Sequence, residues 1–260
     1  MKENIKRGPI HFRMSIPWQQ LRDVNWMNKK ACANQAYIPT QVEHIANVIT
    51  HGVWVVPSIL AGLELLRRST NTTQYLSAII YGAALTMLLT VSTFFHSVFY
   101  CNKNKNYCFR QLKDALHRCD RAMIYVFIAG SYFPWLTITP EPQMTTVIVA
   151  MRWVVWLLAA LGILYQQIFH ERYKTFETLL YLIMGVGPSI VILLSDHELS
   201  GLAELKLGGV LYILGVFFFK ADGSIPCAHA IWHLFVVLAA AVHYYAILNY
   251  LYPELTSSRG

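Results

Sequence analysis

Three histidines, an aspartate and a serine carry most of the chemistry this sequence can offer: His96, His229, His233, Asp120 and Ser92. His229 and His233 stand four residues apart in His229-Ala230-Ile231-Trp232-His233, which puts both rings on one face of a helix. Neutral imidazoles at about 2.0–2.1 Å suit zinc, and three of them leave a fourth position for water. A carboxylate close by could orient a histidine, hold that water or accept its proton, and Asp120 is the candidate. Ser92 lies one turn before His96 on the same face and could hydrogen-bond Asp120 or the water. A lone His-x-x-x-His pair is weak evidence, because ten histidines in such a chain give one by chance roughly one time in three. Two such histidines could equally well hydrogen-bond neighbouring helices. The metal reading therefore rests on whether His96 and Asp120 arrive at the same depth, and that depends on the elements that carry them.

Those elements are membrane-spanning helices. Of the 260 residues 55% are hydrophobic and only 13% charged, where a soluble domain carries about a quarter charged residues. Seven apolar stretches follow one another: Ile45 to Leu66, Tyr75 to Tyr100, Ala122 to Ile138, Met151 to Phe169, Phe176 to Leu194, Leu202 to Phe219, and Cys227 to Leu248. Most approach the roughly 20 residues that span about 30 Å of hydrocarbon. The sixth reads as the weakest, since Glu204 and Lys206 shorten its apolar part, and Arg152 near the start of the fourth could snorkel to the headgroups. Helical spans with short links predict an all-α, seven-transmembrane bundle rather than a β-barrel. The chain divides into a basic arm (residues 1–42), the helical domain (43–250) and a short tail (251–260). No apolar h-region of a signal peptide precedes Ile45. Trp18, Leu21, Trp26 and Met27 among the arm's basic residues could form an interfacial amphipathic turn, or the arm could be disordered and drawn to anionic lipid.

Orientation follows from Lys and Arg in the flanking segments. With the amino terminus cytosolic and the carboxyl terminus outside or lumenal, 16 of the 21 cations fall on the cytosolic side. The opposite side holds only Arg67, Arg68, Arg152, Lys206 and Arg259. Cys32, Cys101, Cys108, Cys119 and Cys227 all fall on or beside the cytosolic side, where thiols stay reduced. The sequon Asn71-Thr72-Thr73 falls in the first non-cytosolic loop, short and close to the membrane. The net charge of +7 is mostly this positive-inside charge and needs no nucleic acid.

In that arrangement the second span ends with Ser92 and His96, the third begins beside Asp120, and the seventh begins with His229 and His233. All three meet at the cytosolic end. His96 lies roughly 6 Å inside its helix end, and His229 and His233 roughly 3 and 9 Å inside theirs, at 1.5 Å per residue. A second polar face, on the first span, consists of Glu43, His44, Asn47, Thr50 and His51. It should point into the bundle near the same end, serving interhelical hydrogen bonds more than direct chemistry. His117, His170 and His197 read as loop residues, and His243 lies too far from His229 to share a metal. Trp135, Trp153, Trp156, Tyr244, Tyr245 and Tyr250 read as interfacial belt residues.

The set Asn47-x-x-Thr50-His51, Ser92-x-x-x-His96, Asp120 and His229-x-x-x-His233 resembles the progestin and adipoQ receptor family with the related haemolysin III proteins. Glu43-His44, His117-Arg118-Cys119-Asp120-Arg121, Phe219-Lys220-Ala221-Asp222-Gly223 and Ala228 to Phe235 resemble its monocyte to macrophage differentiation factor branch. The resemblance runs from about Tyr37 to Leu251. It implies seven helices with a cytosolic amino terminus, zinc on His96, His229 and His233 with Asp120 and Ser92 alongside, and residence in endomembranes such as Golgi or late endosome/lysosome, with the plasma membrane as the alternative. The short arm departs from what direct binding of an adiponectin-type hormone would need.

Two functions compete. One is a signalling or regulatory membrane protein, its zinc structural or vestigially catalytic, with a lipid-like ligand and signalling partners at the cytosolic face. The other is a zinc-dependent hydrolase of lipid amides or esters, related through the wider superfamily to alkaline ceramidases, with Asp120 as base. Orientation argues against an ordinary G-protein-coupled receptor, and Cys119-Asp120-Arg121 sits at the wrong end of its helix for that class's acidic-Arg motif. The absence of internal repeats argues against a transporter.

Overall fold

The computed structural model describes residues 24–32, 35–101, 107–138, 146–194 and 201–254. Trp18, Leu21, His197 and Arg259 lie outside them. The described residues are helical wherever they are regular, in eight α-helices: α1 Gln41–Gly52, α2 Val55–Arg68, α3 Thr72–Cys101, α4 Tyr107–Thr137, α5 Thr146–Ile168, α6 Lys174–Leu194, α7 Leu202–Phe219 and α8 Ala228–Ala246, the last running into a π-helical turn, Ile247–Leu251.

The first span is two helices rather than one. Pro57 has no N–H to donate and its ring crowds the carbonyl of Val53, so the helix breaks at Val53–Trp54. α1 starts on a capping box: Thr40 Oγ1 accepts from the Glu43 amide at 3.2 Å while Glu43 Oε2 accepts from the Thr40 amide at 2.8 Å. The break leaves α1 free to turn its polar face inward, where Glu43, His44, Asn47 and His51 are all buried.

Five segments are long and apolar enough by themselves to cross a membrane: Gln41–Arg68, Thr72–Val98, Thr146–Ile168, Leu202–Phe219 and Ala228–Leu251. The sixth stretch, α7, is therefore not the weakest. α4 is, for a composition reason: its first half carries Arg110, Lys113, Asp114, Arg118, Asp120 and Arg121, so its apolar run is shorter than a full span. α6 opens with Lys174 and Glu177 ahead of an apolar run. Both complete the bundle by packing, α4 along α3 and α5, and α6 against α4 and α5.

The outward surface is apolar, with Leu60, Val56, Leu157 and Phe217 all about as exposed as free side chains in a bundle surface can be, at 60–65%. The inner core is Leu65, Tyr81, Leu88, Met123, Phe127, Val236, Ile247 and Tyr252. An apolar exterior around an apolar core is the pattern of a protein solvated by lipid. α2 and α3 approach closely through Gly62 and Gly82, where an added Cβ on Gly82 would stand 3.1 Å from the Gly62 Cα. Trp153 is 76% exposed, and Tyr245 and Tyr250 are exposed, as belt residues should be. Trp135 is not one of them: at 3% exposure it belongs to the core. Arg152 donates to the Leu136 carbonyl instead of only reaching for headgroups.

The arm is neither an amphipathic helix nor detached in its described part. Residues 24–32 and 35–40 have no regular structure and fold back over one end of the bundle. Asn28 donates to the Ile38 carbonyl at 2.9 Å and to the Tyr37 hydroxyl at 3.0 Å, and Tyr37 donates to the Glu43 carboxylate at 2.9 Å. Lys174 reaches the Gln35 carbonyl. Lys30 packs on Gly223, whose φ of +74° and lack of room for a Cβ both demand glycine. Asn71 of the sequon caps α3, its Oδ1 accepting from the Gln74 amide at 2.9 Å.

Candidate metal centre

The arm end holds the chemistry. α3 contributes His96 and Ser92 from its last turns, α4 contributes Asp120, and α8 contributes His229 and His233 from its first turns. One ligand nitrogen from each of the three histidines can be chosen so that all lie within 4.8 Å of one another. The ring centroids of His96 stand 5.3 Å from both His229 and His233, and those two stand 4.7 Å apart. His96 and His233 are buried and His229 is half-buried.

Each ring meets a polar neighbour at Nδ1. Thr50 Oγ1, which lies 2.8 Å from the Ala46 carbonyl, stands 3.1 Å from His233 Nδ1. An Asp222 carboxylate oxygen lies 3.6 Å from His229 Nδ1, longer than a hydrogen bond. Asn47 Nδ2 lies 3.5 Å from His96 Nδ1. His96 Nε2 is buried without a partner among the described residues. Neighbours of this kind orient metal-binding histidines, and the three rings could hold a metal ion.

Ser92 and Asp120 line the same cavity as the three histidines. The buried Ser92 hydroxyl faces the Asp120 carboxylate, as its spacing suggested, without a well-aligned hydrogen bond among the described residues. His51 stacks on His233, centroids 3.6 Å apart and planes 13° apart. The cavity, of about 560 Å³, runs from Tyr37 and Glu43 at the arm end, past the histidines, between apolar walls such as Ile128, Tyr212 and Val216, to His243 and Lys206 towards the other end. His243 is remote from the group, as its position in the sequence requires; its ring points at Gly208 and its Nε2 lies 3.3 Å from the Leu205 carbonyl.

His117 and His170 are not solvated loop residues. His117 lies in α4, stacked on Phe95 with centroids 5.0 Å apart, and its Nδ1 is 3.3 Å from Nε2 of His170, in the turn after α5. Burial, then the neighbouring Arg121 guanidinium, hold the His117 ring well below the usual histidine range; burial lowers His170 as well. Arg121 bridges Glu171 at 2.7 Å and Glu177 at 2.9 Å. Sequence reasoning missed this cluster and missed Asp222. Asp222 had a signal, seven residues before His229 in a short link; the His117–His170 pairing joins two distant segments and had none.

A bundle of lipid-facing helices around a buried histidine group and an apolar cavity defines a multi-pass membrane protein with a candidate metal centre. Residues 40–244 match the haemolysin-III related family, and the chain belongs to it. It is 47% identical over 231 residues to human monocyte to macrophage differentiation factor, covering 89% of this chain and 94% of that protein. Hemolysin-3 of Bacillus cereus is 32% identical over 216 residues, covering 81% and 93%. Progestin and adipoQ receptor-like protein 1 of Caenorhabditis elegans is 26% identical over 236 residues, covering 80% of this chain and 52% of that protein.

Proposed function

We propose that this chain is a signalling or regulatory membrane protein that holds zinc on His96, His229 and His233 and takes a lipid-like ligand in the adjoining cavity. The observation that carries the reading is the convergence of the three rings, whose ligand nitrogens lie within 4.8 Å of one another. Asn47, Thr50 and Asp222 stand beside their Nδ1 atoms, and the packing of α1 against α3 and α8 keeps the first two in place. The apolar walls accept an acyl chain, and the polar end meets its headgroup. The amino terminus is taken as cytosolic on the charge bias, which puts the histidines and any protein partner on that side, and the family resemblance favours endomembranes.

The position of Asp120 favours a second reading, a hydrolase of lipid amides or esters. Zinc, when bound, would act as a Lewis acid toward water and a carbonyl. Asp120 would accept the proton, and Ser92 would hydrogen-bond the reacting group.

One experiment separates the readings. Purified protein is assayed for bound zinc, for binding of a fatty acid and a ceramide, and for release of free fatty acid from ceramides, phospholipids and acyl amides. Zinc and lipid binding without turnover supports the first reading. Turnover lost in Asp120→Ala, with zinc retained, establishes the second. Protein without zinc from zinc-replete cells overturns both.

A further inference from the structure

A second group of ligating side chains lies at the arm end, outside the buried trio. His117 comes from α4; His170 and Glu171 come from the turn between α5 and α6. Their ligand atoms also lie within 4.8 Å of one another. His170 Nε2 stands 3.3 Å from His117 Nδ1, while Glu171 Oε1, at 3.7 Å, and the Arg121 Nε–H, at 3.4 Å, face the ring's other nitrogen, Nε2, so a shared ion requires the His117 ring to turn and release Arg121. Two ligand atoms on one tetrahedral ion, with bonds of about 2.0–2.1 Å, stand roughly 3.3 Å apart.

Two features of Glu171 mark the group as more than a chance contact. Its backbone is left-handed, with φ +62°, a conformation that glutamate adopts only when its surroundings impose it. Its carboxylate is buried, and neither oxygen has a well-aligned hydrogen bond among the described residues. Charge alone holds it, through Arg121 and Lys174.

The two cations are the obstacle to a metal here, and the structure supplies the answer to each. Arg121 has a second carboxylate, Glu177, at 2.9 Å, and keeps it whatever binds Glu171. Lys174 is the more exposed of the pair and can turn to water. Arg121, Lys174, Glu171 and Glu177 sum to zero charge. With Lys174 turned to water, an incoming cation takes its place opposite the Glu171 carboxylate.

We propose that His117, His170 and Glu171 form a second, peripheral divalent-cation site of the nitrogen-and-carboxylate type that suits zinc. It stands at the margin of the bundle, so it exchanges its ion more readily than the buried trio. It is independent of the proposed function, since no residue is shared. Simple histidine pairing within an ion-pair network is the competing account.

The test is zinc titration of the full-length chain, stripped of metal and held in detergent or nanodiscs. The wild type is expected to take two equivalents, the weaker removed by a mild chelator wash. The double variant His117→Ala, His170→Ala should take one. The double variant His229→Ala, His233→Ala should keep the weaker one, so failure of the buried site and failure of this one read differently. Lys174→Ala, which replaces no ligand but removes the cation paired with Glu171, should tighten the weaker equivalent on the order of tenfold by removing a competing charge. Cobalt added to the His229→Ala, His233→Ala protein should give a visible absorption band that Glu171→Gln abolishes. A single equivalent in the wild type, an unchanged second equivalent in the His117, His170 variant, or no cobalt band overturns the proposal.

Discussion

The two ends of the bundle bury polar groups in opposite ways. At the end away from the arm, Gln74 donates to the Leu251 carbonyl at 2.9 Å and its Oε1 accepts from both the amide and the hydroxyl of Thr70 at 2.8 Å. Tyr252 donates to the Gln74 carbonyl at 2.7 Å, and Ser77 pairs with Thr137 at 2.8 Å. These groups stitch the carboxyl-terminal turn to α3 and are satisfied. At the arm end, Asn47 Oδ1, Ser92 Oγ and His96 Nε2 are buried without a well-aligned partner among the described residues. A buried polar atom without a partner costs about 1–3 kcal/mol, and several in one place signal a ligand still to be counted. Polarity alone does not distinguish the two ends. Satisfaction does.

The comparison can be broken most forcefully at the histidines. His96→Ala should remove zinc from the buried group altogether, measured as metal per chain with the His117, His170 pair also replaced. Next, Asp222→Asn leaves the three ligands but weakens the acceptor at His229 Nδ1; zinc affinity should fall by about 10–100-fold, the usual cost of losing such a partner, with the thermal midpoint of the metal-free protein unchanged. At the other end, Gln74→Leu should destabilise the protein by about 1–3 kcal/mol through the groups it leaves unpaired, with zinc content unaltered. The smallest effect belongs to Thr40→Ala, which removes half of the α1 capping box and should cost about 1 kcal/mol, read as a lower midpoint in a denaturant titration. If Gln74→Leu lowered zinc content, or Asp222→Asn lowered stability without touching zinc, the division between the ends would be wrong.

Much of this was legible from the residues because bilayer solvation writes long, strong patterns. Apolar length marked the spans, and helix direction brought His96, Asp120, His229 and His233 to one end. The inward polar face of α1 was also readable, since Glu43, Asn47, Thr50 and His51 repeat at helical spacing. What hydropathy misjudged was where charge and span overlap: α4 carries its charged first turns within the helix, so the apolar window understates it, while α7 outlasts Glu204 and Lys206. The Val53–Trp54 break was hidden inside an unbroken apolar run, with Pro57 its one sign. Trp135 was misplaced because aromatic type does not reveal which side of a helix faces the core. The partners at Nδ1, and the His117–His170–Glu171 group, depend on long-range packing that no local pattern encodes.

The most direct measurement of the central claim is X-ray absorption at the zinc edge, on the His117→Ala, His170→Ala protein so that only the buried group contributes. The account predicts about one zinc per chain with imidazole nitrogens at about 2.0–2.1 Å, lost when His96, His229 or His233 is replaced by Ala. Protein that contains no zinc, or a zinc signal indifferent to those three substitutions, would contradict it.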